Sequence, residues 1–121
     1  MAGFRLVEAL TQAGVPIAWT PIQFNAEVNL EEGRRAHTRL EPLRAVELEP
    51  DVVVVHAPPD LLDPIAGAMP ALARTPVICH TVWETTHLPP HWVEPLNRCA
   101  GVIVPTAWNA AVFRASGVTV P

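Results

Sequence analysis

The chain has no lysine. All eight of its basic side chains are arginine, set against twelve carboxylates, for a formal net charge of −4 over 121 residues. Arg34-Arg35 is the one basic cluster, too little to neutralise a phosphate backbone, so nucleic acid is not an expected partner. Cysteine is scarce too. Cys79 and Cys99 are too few and too far apart for a zinc ribbon or a disulfide scaffold, and they read as buried free thiols. The single serine, Ser116, stands in Ala115-Ser116-Gly117 and not in a G-x-S-x-G elbow, which argues against a serine nucleophile. A G-x-G-x-x-G turn and a Walker loop are both missing, which removes the standard dinucleotide and P-loop readings, and no cofactor is expected. No apolar run approaches the roughly 20 residues that cross a bilayer, and Met1-Ala2-Gly3-Phe4-Arg5 lacks the charged lead and apolar core of a signal peptide. A cytoplasmic, reducing location is the expectation.

What is present reads as a folded segment: half the residues are hydrophobic and 17% are charged. The length suits one domain at most and is short for a two-domain enzyme. Phe4, Leu6, Val7 and Leu10 recur at helical spacing and Gly14 stands where a helix C-cap tolerates positive φ. Val15 to Thr20 then reads as a strand. Asn25 to Pro50 carries half of the charged side chains without a sustained period, with a short helix expected within Glu31 to Leu40 that Pro42 ends.

The pattern sharpens at Asp51. Val52 to Val55 is a β-branched run of the kind found in strands covered on both faces. Asp60 is placed to cap a helix whose Leu61, Leu62, Ile65 and Met69 form one apolar side. Val77 to Cys79 is the next strand, and Pro90 opens a helix that runs to Cys99, proline suiting a first turn. Val102 to Val104 is a third strand, followed by a helix from Ala107 to Ala115 closed by Gly117. Such alternation predicts an α/β fold: a Rossmann-like parallel sheet with right-handed crossovers and flanking helices. The chain starts at a helix, so the expected first strand is lacking and the domain is read as partial over residues 1–121.

Three strand ends carry polar groups: His56, then His80 with Glu84 four residues on, then Thr106 and Asn109. Open α/β sheets place ligand sites at such ends. An imidazole there can hydrogen-bond a hydroxylated substrate or steady a developing charge, and a Glu can orient sugar hydroxyls. The same residues also fit plainer roles: half-buried histidines for His56 and His80, and a carboxylate holding backbone amides for Glu84. Trp92 and Trp108 read as packing residues. His87 and His91 stand four apart, but Leu88-Pro89-Pro90 breaks the helix that would align them, and no metal site is expected.

On these residues the chain resembles the N-terminal half of the retaining nucleotide-sugar glycosyltransferases of the GT-B fold, the "group 1" family. The resemblance lies in the valine strand ending at His56, the strand ending in His80-Thr81, Trp83-Glu84 followed by Leu88-Pro89-Pro90-His91-Trp92, and Val104-Pro105-Thr106-Ala107-Trp108-Asn109 continuing to Ser116-Gly117-Val118. The family's first helix and its exit are similar to Gly3-Phe4 through Ala13-Gly14-Val15. Three features depart from the family: no first strand with its glycine-rich turn, no second donor-binding domain, and Thr106 where serine is common. The resemblance implies an acceptor-side domain of an enzyme that moves a sugar from a nucleotide-sugar donor to a carbohydrate or other acceptor. His80 would be the catalytic group near the reacting sugar, with His56, Glu84, Thr106 and Asn109 as substrate-binding residues and no obligatory metal. It also implies that this chain alone transfers no sugar, binds a donor weakly at most, and tends to self-associate. The alternative reading is a non-catalytic α/β binding or interaction module derived from such an enzyme.

Overall fold

A computed structural model describes residues 2–22 and 38–121. The chain divides into two compact units, residues 1–49 and 50–121. The boundary falls where the sequence pattern sharpens.

In the first unit, α1 (Ala2–Gln12) has Phe4, Leu6, Val7 and Leu10 half-buried. It closes on Gly14 at φ 79°. Gly14 N–H donates to the Thr11 carbonyl and Val15 N–H to the Leu10 carbonyl, each at 3.0 Å, the paired bonds of a Schellman cap. The expected strand at Val15 to Thr20 does not form. Pro16 contributes no N–H, and the segment is tied by Trp19 N–H to the Leu43 carbonyl at 3.1 Å and by the Phe4 ring, 6.0 Å from that of Trp19, with no ladder partner among the described residues. Of the helix expected within Glu31 to Leu40, residues 31–37 lie outside the described residues. Residues 38–40 are helical, and Pro42 lies at the start of a 3-10 turn, Glu41–Ala45.

The second unit contains a three-stranded parallel sheet in the order β1 (Val53–His56), β2 (Val77–His80), β3 (Gly101–Ile103). Val55 pairs with Cys79 and Cys79 with Val102, while His56 pairs with His80 and His80 with Ile103. A 3-10 turn, Pro59–Leu61, leads into α2 (Leu62–Ala68). Asp60 therefore lies inside that turn and does not cap the helix. A second 3-10 turn, Pro70–Arg74, follows; α3 (Pro90–Asn97) joins β2 to β3, and α4 (Ala107–Ala115) follows β3. The expected mixed α/β architecture with parallel strands and flanking helices is thus present.

Neighbouring residues on a strand point to opposite faces, and burial divides accordingly. Val55 and Cys79, with Val53, Val77 and Val102 alongside, join a core with Leu62 and Ile65 of α2, Leu72, Trp92 and Leu96 of α3, Phe113 of α4, and Cys99. On the other parity Val52, Val54 and Ile103 are 43%, 37% and 38% exposed. The valine run is therefore covered on one face only, contrary to the two-sided burial its composition predicts. The strands are laid down in one direction across the sheet, and successive right-handed crossovers made that way put their helices on the same side.

Candidate functional site

Two of the strand-end histidines, His56 and His80, lie side by side. His56 and His80 close β1 and β2 in direct register, so their side chains share one face of the sheet, opposite the Val55–Cys79 core. Their ring centroids are 4.7 Å apart at an interplanar angle of 45°. His56 Nδ1 lies 3.0 Å from the His80 carbonyl oxygen. A carbonyl only accepts, so Nδ1 of His56 carries the hydrogen, and in the neutral ring Nε2 holds the lone pair. His56 is exposed and His80 half-buried. The Nδ1 atom of His80 is buried and has no hydrogen-bond partner among the described residues. Burial, and secondarily the neighbouring His56, push the His80 imidazole below its ordinary value, which favours the neutral ring.

The loop leaving β2 is held by a dense set of bonds. Thr81 N–H extends the β2–β3 ladder to the Ile103 carbonyl at 3.0 Å. The Trp83 ring meets Trp92 edge-on at 4.7 Å, and its Nε1 donates to the His87 carbonyl at 2.6 Å. Leu88 N–H donates to Ser116 Oγ at 3.0 Å. The lone serine is thus an acceptor for this loop. Glu84, in the middle of the same loop, is exposed.

Thr106 is the N-cap of α4: its Oγ1 accepts from Asn109 N–H at 3.1 Å and donates to Asn109 Oδ1 at 2.8 Å. Asn109 Nδ2 in turn donates to the Trp83 carbonyl at 2.6 Å, and the residue is 4% exposed. These two residues therefore join the end of β3 to the loop after β2. Their polar atoms are engaged with each other and with Trp83, which leaves Thr106 one acceptor lone pair for a substrate.

Trp92 packs in the core at 8% exposure, whereas Trp108, on the first turn of α4, is 50% exposed. Trp108 is thus not the packing residue that the sequence predicts. The signal that separates the two tryptophans is helical phase, since Trp108 falls outside the arc of the buried positions Asn109, Val112 and Phe113. Cys79 and Cys99 are buried free thiols, and burial pushes Cys79 up to about 12, so neither is placed as a nucleophile. His87 and His91 are separated by Pro89 in extended geometry at φ −53°, ψ 129°. Among the described residues no group of three or more His, Cys, Asp or Glu is arranged to hold a metal ion, and no helix is long and apolar enough to cross a membrane. No protein-family model matches the chain, and no curated protein or solved structure does so either.

Proposed function

We propose that this chain is the acceptor-side portion of a retaining GT-B nucleotide-sugar glycosyltransferase of the group 1 kind. The observation that carries the reading is the in-register pair His56 and His80 at the carboxyl ends of adjacent parallel strands, where open α/β sheets gather ligand groups. The ordered loop from Trp83 to Leu88, fastened to α4 by Asn109, adds a fixed wall beside it. His80 faces the reacting sugar as a neutral imidazole, able to exchange a hydrogen bond with a hydroxyl. His56 and Glu84 bind further hydroxyls, with Thr106 at the margin. Such catalysis works by positioning and by stabilising the departing diphosphate, a task for a donor-binding domain outside these residues.

The test is sugar transfer from a panel of nucleotide-sugars by the polypeptide that carries this segment in its native reading frame. His80→Ala is expected to lower turnover by more than about tenfold, the loss typical of one positioned polar group; turnover near that of the parent overturns the assignment. A second reading, a non-catalytic interaction module, is favoured by the exposed row of Val52, Val54 and Ile103. Calorimetry separates the two. Under the first reading the 121-residue chain binds nucleotide-sugars weakly; under the second, no donor is bound even by the longer polypeptide.

A further inference from the structure

We propose that His56 is a positioning residue for His80: bonded to the His80 carbonyl and packed ring against ring, it fixes the end of β2 and presents the His80 imidazole to a ligand hydroxyl. The inference deepens the proposed function, because it takes His80 as the ligand-facing group.

The geometry argues for this division of labour. The two rings sit in one register row with centroids 4.7 Å apart, so a proton on either ring opposes a second proton on the other. Only His56 has its orientation set by a bond to the backbone, at 3.0 Å through Nδ1. That bond survives protonation of His56 and is strengthened by it, since a charged donor bonds a carbonyl more tightly. Among the described residues His80 has no such bond at its buried Nδ1, so none of them compensates a charge placed there. Burial and the His56 charge both act on His80 in the same direction.

Among the described residues, the strand neighbours of His80 supply no competing charge. From β1 the facing titratable group is His56, and from β3 the register partner of His80 is Ile103, which does not titrate. On β2 itself Cys79 points to the opposite face and stays protonated, pushed up to about 12 by burial. Glu84, on the exit loop, is exposed to solvent.

The experiment is NMR titration of the histidine ring resonances in the 121-residue chain, with His56→Phe and His56→Asn alongside the parent. Phe keeps a packed ring but removes the carbonyl bond and the charge. Asn restores an N–H near the position of Nδ1 without restoring a titrating group. In the parent, the His80 midpoint is expected to lie below the ordinary histidine value. In both variants the His80 midpoint is expected to rise toward the ordinary histidine value. His56→Asn alone is expected to recover the parent's hydrogen-exchange protection at the Thr81 amide, where the end of β2 bonds to β3. A His80 midpoint at the ordinary value in the parent, or an unmoved His80 midpoint in both variants, overturns the proposal. The parent measurement stands even if a variant fails to fold. None of these readouts requires sugar transfer, so the coupling and the glycosyltransferase reading fail separately.

Discussion

His80 and Asn109 show how differently two polar residues at strand ends can be employed. Asn109 is 4% exposed and has its side chain engaged at both ends, so it belongs to the framework that shapes the loop. His80 has a buried nitrogen without a partner among the described residues and an imidazole held below its ordinary value of 6.5. That depression has a stability consequence. Below the ordinary value the unfolded chain takes up a proton that the folded chain resists, so the contribution of neutral His80 is complete above about pH 7 and declines as pH falls through and beneath that value. Urea titrations between roughly pH 7.5 and 5 are expected to show falling unfolding free energy in the parent and a shallower fall in His80→Gln. Equal slopes in the two proteins would show that His80 is not held neutral by folding. The position of His80 was readable from its place after an apolar strand. The partners of Asn109 were not, because they lie 3 and 26 residues away and only the packed loop brings the distant one into reach.

At the scale of elements, sequence legibility followed the backbone chemistry of the terminators. The Schellman cap at Gly14 and a second at Gly117, where Gly117 N–H donates to the Arg114 carbonyl at 3.1 Å and Val118 N–H to the Phe113 carbonyl at 3.0 Å, were readable because only a residue tolerant of positive φ ends a helix in that way; the two glycines adopt φ 79° and 107°. Asp60 and the Val15 to Thr20 segment were not readable. Whether an Asp caps depends on where the first helical turn starts, and a β-prone segment becomes a strand only if another strand is there to bond it. A matched pair of substitutions tests the positive-φ argument. Gly117→Ala is expected to destabilise the fold by roughly 1–2 kcal/mol, the cost of a side chain in the left-handed region, and its Cβ would also sit 3.4 Å from Val93 Cγ1. Gly67→Ala, within α2 and facing open space, is expected to stabilise by up to about 1 kcal/mol through helix propensity. Changes of the same sign in thermal or urea unfolding would refute this account of the two glycines.

The sheet as a whole is wound in one direction, and that decides the character of its surface. Parallel sheets are ordinarily buried on both faces, and the valine-rich composition of β1 reflects that habit, yet Val52, Val54 and Ile103 remain 43%, 37% and 38% exposed. The outer edge of β1 also has no strand paired to it among the described residues, which leaves backbone donors and acceptors available to another chain. An exposed apolar row beside an open edge favours association between copies. Sedimentation of the purified chain is therefore expected to show a concentration-dependent rise in mass. The double substitution Val54→Thr and Ile103→Thr keeps β-branched side chains suited to a strand while making the row polar, and it is expected to shift the population toward monomer without loss of the cooperative unfolding transition. Because Val54 and Ile103 lie on the face away from the core cluster, stability should change far less than for a substitution at Val55 or Cys79. A parent chain that stays monomeric at high concentration, or a double variant that associates as strongly as the parent, would mean that this face does not drive association.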